Sequence, residues 1–364
     1  MKLKRAIGQS SDVAPKGVTG PTDNEPADGS QPTAEVLLVE NLRATYSTAH
    51  GLIRAVDGVS FKVGRGDRIG LVGESGCGKT TMGRALLRLL PPNATVEADA
   101  LTFMGRDVLS MPDSELRRVR WGGISMVFQN ALSALNPVKK IGSQIAIPIS
   151  THMSLSRGDT RRRIYELLEM VRLRPNVAGL YPHQLSGGMR QRVMIAMALS
   201  CDPSLVIADE PTTSLDVVRQ DEILAEIEEL QARLGFALII VTHDTAIVAE
   251  TCDRTLVMYA GTLVEAGRTS TVLGSPSHPY TLGLVRSAPG LEDRTELYTI
   301  GGRPPDLTHP PTGCLFHPRC SYKAAICERE SPRPRGIAGG TKVRCHFAED
   351  VNAAASDLTR DANA

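Results

Sequence analysis

Residues 73–80 have the residue types and the spacing that a phosphate-binding loop requires. They read GESGCGKT, between an apolar run that ends at Val72 and a helix-forming run that begins at Thr81. The glycines allow backbone N–H groups to converge on a polyphosphate, and the following helix adds the positive end of its dipole. That dipole supplies only about half an elementary charge. Lys79 and a Mg²⁺ ion held by the Thr80 hydroxyl must therefore provide most of the compensating charge.

Two carboxylates directly follow a fully apolar segment. Residues 205–208 read LVIA, and Asp209 and Glu210 come next. A carboxylate at the carboxyl end of a parallel strand faces the ligand crevice of an α/β sheet. An acidic pair that merely ends a strand in solvent is a common alternative, but the phosphate-binding loop favours the catalytic interpretation. Asp209 is then expected to hold Mg²⁺, and Glu210 to polarise the attacking water.

A second anion-binding element is predicted within residues 185–192, which read LSGGMRQR. Ser186, Gly187 and Gly188 place a hydroxyl and uncovered backbone N–H groups at the start of a helical run. The same residues also suit an ordinary serine N-cap with a glycine-bearing turn. Taken alone, the segment permits both interpretations.

Four of the seven cysteines cluster near the carboxyl end with the spacing C-x5-C-x6-C-x17-C: Cys314, Cys320, Cys327 and Cys345. Four thiolates on a loop-rich segment without its own core would be stabilised by a metal. Zinc ribbons usually carry C-x-x-C pairs, which are absent here, whereas an iron–sulfur cluster needs only thiolates that converge in space. An iron–sulfur cluster is the first expectation, zinc the second and unligated thiols the third, and His317 and His346 leave a mixed site open. Small packed residues are expected at the remaining cysteines, Cys77, Cys201 and Cys252.

Composition narrows the class of protein. The chain has 364 residues, 41% apolar content and a net charge of +1, which is ordinary for a globular protein and gives no sign of a nucleic-acid partner. No apolar run in the sequence approaches the roughly 18 residues of a membrane span. The opening residues, MKLKR, are basic but lead into Ser, Asp, Pro and Gly instead of an apolar signal segment. We therefore expect a chain that is not exported and whose cysteines are reduced.

The hydrophobic pattern predicts the elements that position these residues. Short apolar alternations within residues 36–63 indicate antiparallel strands. Helical periodicity follows the phosphate-binding loop, fills most of residues 131–185 and returns at 217–234. Buried strands are indicated at 68–72, 124–128, 205–208 and 237–241. Strands that alternate with helices and are apolar on both faces predict an α/β domain with a parallel sheet.

Taken in order, the motifs resemble those of the ATPase subunits of ATP-binding cassette (ABC) transporters. The matching segments are the Walker A loop at 73–80, the Q-loop residue Gln129, the signature at 185–189, Walker B at 205–210, the D-loop at 214–216 and the switch histidine His243. The resemblance covers roughly residues 36–268. It implies a P-loop NTPase fold with a parallel core sheet, an antiparallel β subdomain and a helical subdomain, followed by a small, loop-rich, cysteine-containing extension. It also implies ATP and Mg²⁺ as cofactors and competence for hydrolysis.

The resemblance gives each site residue a role. Glu210, His243 and Gln129 are implied as catalytic, and Thr80, Gln129 and Asp209 as Mg²⁺ ligands. Tyr46 fits the aromatic residue that stacks on adenine, with core packing as the alternative. The nucleotide contacts implied by the motifs, together with Tyr46, are Gly73, Ser75, Gly76, Cys77, Gly78, Lys79, Thr80, Thr81, Ser186, Gly187, Gly188, Asp209 and Asp216.

Three further segments narrow the resemblance to the ATPases of oligopeptide and dipeptide importers. They are residues 130–137 after Gln129, residues 181–184 before the signature and residues 275–281 beyond the cassette. In this subgroup the cysteine-rich region implies a 4Fe–4S cluster. One alternative is an importer ATPase for nickel or another small solute. The other is a soluble ABC ATPase that transports nothing, but the tandem cassettes or long coiled-coil insertions typical of that class do not occur in this sequence.

The resemblance also implies partners and domain limits. A second ATPase subunit, more often a different chain than a second copy, would close a head-to-tail nucleotide sandwich. The other implied partners are transmembrane permease subunits and, indirectly, an extracytoplasmic substrate-binding protein, with this chain lying peripherally on the cytoplasmic face of the membrane. The expected domains are a disordered tail at 1–34, a nucleotide-binding domain at 35–268 with a helical subdomain at about 131–186, a peptide-transporter-type extension at 269–350 and a disordered tail at 351–364.

Overall fold

A long β-hairpin forms most of an antiparallel sheet at the start of the fold. The computed structural model describes residues 35–129, 134–212, 216–287 and 299–361. The antiparallel strands predicted within residues 36–63 are present, and the first of them is continuous across a bulge at which Asn41 adopts a φ of 50°. The strands of this sheet are β1 (Glu35–Thr48), β2 (Gly51–Gly64), β4 (Ala94–Glu97), β5 (Ala100–Phe103) and β6 (Arg106–Asp107), in the order β2-β1-β5-β6 with β4 also paired to β1.

The second sheet contains the buried strands that the sequence predicted. Its strands are β3 (Arg68–Val72), β7 (Ile124–Val127), β8 (Leu205–Asp209), β9 (Ala237–Thr242), β10 (Arg254–Tyr259), β11 (Thr262–Arg268), β12 (Arg335–Gly336) and β13 (Lys342–Val343). Their order across the sheet is β12-β13-β11-β10-β3-β9-β8-β7. The pairings from β10 through β3, β9 and β8 to β7 are parallel, whereas those from β10 through β11 and β13 to β12 are antiparallel. The predicted α/β fold with a parallel core sheet is confirmed.

Alternate residues of the parallel strands enter two hydrophobic cores. Ile239 and Val241 of β9 belong to a core that also contains Val59 of the antiparallel sheet. Leu238 and Ile240 belong to the other core, in which most of the helices take part. Because side chains alternate across a strand, one face of the parallel sheet packs against the antiparallel sheet and the helix that contains Met82 and Leu86, and the other face packs against most of the remaining helices. This double burial explains why these strands are apolar on both faces.

The helices follow from periodicity and from capping residues. Ser156 and Asp216 cap two of them, each accepting a hydrogen bond from a backbone N–H in the first turn, and the second of these helices ends at Gly235 with a φ of 71°. Of residues 131–185, which were predicted to be mostly helical, 141–152 and 157–170 form α-helices. Residues 131–133 lie outside the described residues. The helices are α1 (Lys79–Leu86), α2 (Asp113–Val119), α3 (Ile141–His152), α4 (Arg157–Met170), α5 (Gly187–Ala198), α6 (Val217–Leu234), α7 (Thr245–Thr251), α8 (Thr269–Gly274), α9 (Pro279–Ser287), α10 (Ala325–Arg329) and α11 (Ala348–Asp361).

Residues 299–361 extend the large sheet at one edge, because β13 pairs with β11 and β12 pairs with β13. The structure corrects the prediction of a disordered tail at 351–364 as far as Asp361, since these residues lie in α11. Val351 and Ala355, one helical turn apart, bury their side chains in a small core with Leu282 of α9. The disordered tail predicted at 1–34 lies outside the described residues. Within the described ranges, no helix has both the length and the apolar character needed to cross a membrane.

Candidate nucleotide site

The phosphate-binding loop joins β3 to α1 and packs directly on β2 and β10. Gly78, just before α1, has a φ of 108°, and a Cβ atom there would overlap the Ala55 carbonyl oxygen. A Cβ atom on Gly73 would overlap the carbonyl oxygen of Met258 in β10. Side chains are excluded from both positions because backbone lies against backbone. The glycine spacing therefore reflects the close packing of the loop.

Lys79 is the buried cation of this loop. Its Nζ atom donates hydrogen bonds to the carbonyl oxygens of Gly73 at 2.6 Å and Glu74 at 2.9 Å, and only 5% of the residue is exposed. The Cys77 Sγ atom lies 3.9 Å from the same Nζ, and burial raises the pKa of the Cys77 thiol. Cys77 is thus a packed residue of the loop, and Cys201 and Cys252 are buried as well. The ammonium group holds together the two residues that open the loop.

Thr80 and Asp209 are in contact, as a shared Mg²⁺ site would require. The Thr80 hydroxyl, at the start of α1, donates to Asp209 Oδ1 at the end of β8 over 3.1 Å. Asp209 is 1% exposed; burial raises the pKa of its carboxyl, and the hydrogen bond from Thr80 works against that shift. A hydroxyl and a carboxylate are hard oxygen ligands of the kind that Mg²⁺ prefers. The two side chains therefore fit this cation.

Gln129, Glu210 and His243 follow three neighbouring parallel strands, and their side chains meet. Gln129 Nε2 donates to Glu210 Oε2 at 2.6 Å, and His243 Nδ1 lies 3.4 Å from Glu210 Oε1. Glu210 has a φ of 45°, which is strained for a residue with a side chain, and its N–H donates to the Val241 carbonyl at 2.8 Å. The turn at the end of β8 thereby presents the Glu210 carboxylate to both neighbours.

Tyr46 lies close to the start of α1. Its hydroxyl oxygen is 3.4 Å from Thr81 Oγ1, and its ring is half-buried. Ser75 and Gly76, at the tip of the loop, are exposed. An aromatic face therefore lies near the helix that follows the loop, and its stacking role stays a prediction.

The signature residues form a helix cap. The Ser186 hydroxyl accepts a hydrogen bond from the Met189 N–H at 3.3 Å, and Ser186 and Gly187 are exposed at the start of α5 while Gly188 is half-buried. Asp216 is also exposed and caps α6, where its carboxylate pairs with Arg219 at 3.1 Å. Ser214 and Leu215 of the predicted D-loop lie outside the described residues. The polar contacts described for Ser186 and Asp216 lie within the first turns of their own helices. The hydrogen bond between Thr80 and Asp209, by contrast, joins two different elements.

Sequence reasoning missed the partners of Glu74, the second residue of the loop. The carboxylate of Glu74 pairs with the Arg319 guanidinium through two hydrogen bonds of 2.7 and 2.8 Å. The Glu74 N–H donates to the Tyr280 hydroxyl at 2.7 Å. Arg319 is 245 positions away in the chain and Tyr280 is 206 positions away, so local spacing carries no signal of either contact.

The four clustered cysteines line one small cavity, together with His317 and His346. The Cys314 N–H donates to the Cys327 carbonyl at 2.8 Å, which joins the first and third cysteines of the cluster. Burial raises the pKa of the Cys320 thiol to about 11 and that of Cys345 to about 12. Across the described ranges, no group of three or more His, Cys, Asp or Glu side chains is arranged to hold a metal ion. The thiols therefore share a cavity without forming a ready coordination shell.

Comparison with known proteins agrees with this architecture. The family model of ABC transporters matches residues 56–213, and that of the oligopeptide/dipeptide transporter C-terminal region matches residues 264–327. The dipeptide transport ATP-binding protein DppD of Bacillus subtilis is 40% identical over 332 residues, which cover 90% of this chain and 99% of that protein. The oligopeptide transport ATP-binding protein OppD of Salmonella typhimurium is 42% identical over 306 residues, which cover 83% of this chain and 91% of that protein.

Among solved structures, the fold is similar to the ATP-binding cassette MJ0796, determined as a dimer in a post-hydrolysis state with ADP and Pi. The TM-score is 0.56 at 28% identity, and the match covers 64% of this chain and 98% of that one. The resemblance drawn from the motifs is thus confirmed by whole-length relatives and by structure. The chain belongs to the ATP-binding subunits of ABC transporters, in the branch that carries the oligopeptide/dipeptide transporter C-terminal region, and it is an ATPase.

Proposed function

We propose that the chain powers an importer of dipeptides or oligopeptides by binding and hydrolysing ATP at residues 73–80. The observation that carries the ATPase mechanism is the contact of Glu210 with both Gln129 and His243, next to the strand that leads into the loop. The peptide cargo is supported by the C-terminal region and by the names of the relatives. An importer ATPase for nickel or another small solute is the alternative within the same family.

Each site residue takes a distinct part in this mechanism. Lys79 and the N–H groups of the loop hold the phosphates. Thr80, Asp209 and Gln129 are the ligands of Mg²⁺. Glu210 polarises the attacking water and His243 contacts the γ-phosphate. Tyr46 supports the adenine ring. The 2.6 Å hydrogen bond between Gln129 and Glu210 supports this assignment, because it holds the Mg²⁺ ligand Gln129 next to the catalytic carboxylate of Glu210.

Ser186, Gly187, Gly188 and Asp216 act on a nucleotide held by a partner ATPase subunit. The exposure of Ser186, Gly187 and Asp216 at two helix starts supports this role, as does the dimeric state of the related cassette MJ0796. We propose a different ATPase chain as the partner in preference to a second copy. The isolated chain is then expected to bind ATP well and to hydrolyse it slowly, because the closing residues come from the partner.

The remaining partners follow from the importer role. Transmembrane permease subunits contact the helical region that follows Gln129, and an extracytoplasmic substrate-binding protein delivers the peptide to them. The chain itself lies peripherally on the cytoplasmic face of the membrane. A soluble ABC ATPase that transports nothing is the rival from another class, and it would purify without membrane subunits.

Growth on peptides tests the cargo. A strain that lacks the gene for this chain should fail to grow with dipeptides or tripeptides as the sole amino-acid source, while growth on free amino acids is retained. Complementation with the wild-type chain should restore growth, and complementation with Lys79→Ala should not. Normal growth on peptides with loss of nickel uptake would favour the alternative cargo. Failure of the chain to co-purify with any membrane subunit would favour the rival class.

We propose further that Cys314, Cys320, Cys327 and Cys345 hold a 4Fe–4S cluster, with zinc as the alternative. The support is that all four thiols line one cavity, although they adopt no ready metal geometry. Such a cluster would act as a structural staple for a loop-rich segment. Anaerobically purified protein should be brown and contain about four iron and four sulfide per chain. Colourless protein with one zinc per chain would select zinc, and protein free of both would overturn the proposal.

A further inference from the structure

The C-terminal extension reaches the phosphate-binding loop through one residue, Glu74. Arg319 Nη1 donates to Glu74 Oε2 at 2.7 Å, and Arg319 Nη2 donates to Glu74 Oε1 at 2.8 Å. This bidentate pairing of a planar guanidinium with a carboxylate is the strong and geometrically specific form of an ion pair. It joins the second residue of the loop to the residue that precedes Cys320.

Arg319 is rigidly held in this position. Its side chain is only 4% exposed, while that of Glu74 is 25% exposed. Its Nε atom donates to the Gly301 carbonyl at 2.8 Å, and the guanidinium carbon lies 5.8 Å from the ring centre of Tyr259 and 5.9 Å from that of Phe316. The hydrogen bonds with Glu74 raise the pKa of Arg319 further. A buried cation held by so many contacts cannot simply rotate away from the loop.

Tyr280 supplies a second attachment to the same loop residue. Its hydroxyl oxygen accepts the Glu74 N–H at 2.7 Å, and the side chain is fully buried. The ring centre lies 4.6 Å from that of Tyr259 and 5.5 Å from that of Phe316, so Tyr280 and Arg319 rest on the same aromatic pair. The Glu74 N–H is thereby directed to the extension instead of toward a phosphate.

The charge of Glu74 explains why its contacts with Arg319 and Tyr280 would matter for nucleotide binding. A carboxylate on a loop that receives a polyphosphate repels it, and the repulsion is strong wherever water is excluded. The Arg319 guanidinium neutralises that carboxylate from the side of the extension. If the guanidinium were removed, an uncompensated negative charge would remain on the loop beside the phosphates.

We infer that Arg319 and Tyr280 are positioning residues of the nucleotide site, through which the C-terminal extension sets the affinity of the chain for ATP. The inference rests on the proposed role of residues 73–80 as the ATP site. Neither side chain touches the nucleotide. Arg319 cancels the Glu74 charge and fixes its side chain, and Tyr280 fixes its backbone.

The test is a double-mutant cycle on the full-length chain, read as ATP affinity by calorimetry in the presence of Mg²⁺. Arg319→Ala should weaken ATP binding about tenfold, because Glu74 stays charged and unpaired. Glu74→Gln should weaken it only about twofold, because the charge that then remains, the Arg319 guanidinium, does not repel the phosphates. The double variant should match Glu74→Gln, because the Glu74 carboxylate is absent from both. Tyr280→Phe should weaken binding about threefold while keeping the aromatic packing. Arg333→Ala is the matched control, an exposed arginine of the same extension, and should bind ATP as the wild type does.

The outcomes separate the inference from the function on which it rests. Lys79→Ala must abolish ATP binding; if it does not, residues 73–80 are not the ATP site. If Lys79→Ala abolishes binding but Arg319→Ala binds ATP like the wild type, the positioning role of Arg319 is overturned. A double variant as weak as Arg319→Ala would also overturn it, since Arg319 would then merely anchor the extension. If Arg319→Ala does not fold, Arg319→Gln, which keeps much of the side-chain length but removes the charge, is compared with and without Glu74→Gln in the same way.

Discussion

The Gln129 side-chain amide donates a 2.6 Å hydrogen bond to the Glu210 carboxylate, although the two residues are 81 positions apart in the chain. The contact exists because β7 and β8 are parallel neighbours. Glu210 directly follows β8, and Gln129 is the second residue after β7. His243 approaches the other carboxylate oxygen from the end of β9. A carboxylate held between the Gln129 amide and the His243 ring is well placed to orient a water molecule without leaving its position.

Glu210→Gln should retain ATP binding but lose hydrolysis by a hundredfold or more. The amide has the same shape as the carboxylate but cannot polarise the water, which is the main role assigned to Glu210. The measurement is phosphate release by the assembled transporter, with ATP affinity determined in parallel. Turnover within about threefold of the wild type would remove Glu210 from the catalytic role.

Gln129→Asn should reduce hydrolysis about tenfold while ATP affinity changes less than threefold. The shorter side chain keeps the amide but cannot reach Glu210, so the carboxylate loses the donor that orients it. Gln129→Glu adds a like charge at 2.6 Å and should be the more damaging of the two variants. Equal turnover for Asn, Glu and wild type at position 129 would show that the contact has no part in catalysis.

Asp209→Asn should raise the Mg²⁺ concentration required for half-maximal hydrolysis by about tenfold or more. The substitution removes the charge that faces the metal but keeps an acceptor for the Thr80 hydroxyl. A Mg²⁺ titration at saturating ATP measures the effect, and Asp202→Asn, at an exposed acid on the protein surface, serves as the control. An unchanged Mg²⁺ requirement would contradict the ligand assignment.

A buried pair of titratable groups beneath α9 predicts an unusual dependence of stability on pH. Burial raises the pKa of Glu265 to about 7 and lowers that of His278 to about 3. The Glu265 carboxyl accepts hydrogen bonds from the backbone N–H groups of Ser277 and His278, and His278 Nδ1 accepts one from the backbone N–H of Tyr280. The ordinary pKa values, taken for the unfolded chain, are 4.5 for Glu265 and 6.5 for His278. The contribution of Glu265 to the stability of the fold therefore falls as pH rises from 4.5 to 7, whereas that of His278 increases as pH rises from 3 to 6.5.

The two effects oppose each other between pH 4.5 and 6.5, so Glu265→Gln should uncover the dependence due to His278. The free energy of unfolding of the variant should rise with pH, relative to that of the wild type, by about 1.4 kcal/mol per pH unit in this window. Denaturant titrations at pH 4.5, 5.5 and 6.5 give the comparison, and Glu250→Gln, an exposed acid on α7, is the control. A constant difference between Glu265→Gln and wild type across these pH values would show that folding does not raise the pKa of Glu265.

The parts of the site that lie at strand ends were open to prediction from sequence. Thr80, Gln129, Asp209, Glu210 and His243 each stand next to an apolar strand or to the glycine loop. The carboxyl ends of parallel strands meet at one edge of a sheet, so adjacency follows once the fold class is recognised. Their catalytic and metal-binding roles stay predictions.

The contacts of the C-terminal extension were not open to prediction in this way. Glu74 is one of the variable positions of the loop pattern, and Arg319 lies in a loop-rich segment without periodicity. The disordered tail was wrongly extended over α11 because its polar composition conceals a short apolar stripe at Val351 and Ala355. Such a stripe becomes meaningful only when a partner surface such as Leu282 of α9 is known.

The position of β3 between β9 and β10 has a consequence for how the chain is made. The strand that leads into the phosphate-binding loop is paired on both sides by segments that lie far beyond the helical region. During synthesis β3 therefore emerges long before either partner: the edge that pairs with β9 stays open until residue 242 has left the ribosome, and the edge that pairs with β10 until residue 259 has left it. Long-range parallel pairing of this kind forms slowly and leaves open strand edges prone to aggregation. A chain interrupted before β10 would carry the whole loop sequence without the strand on which Gly73 packs.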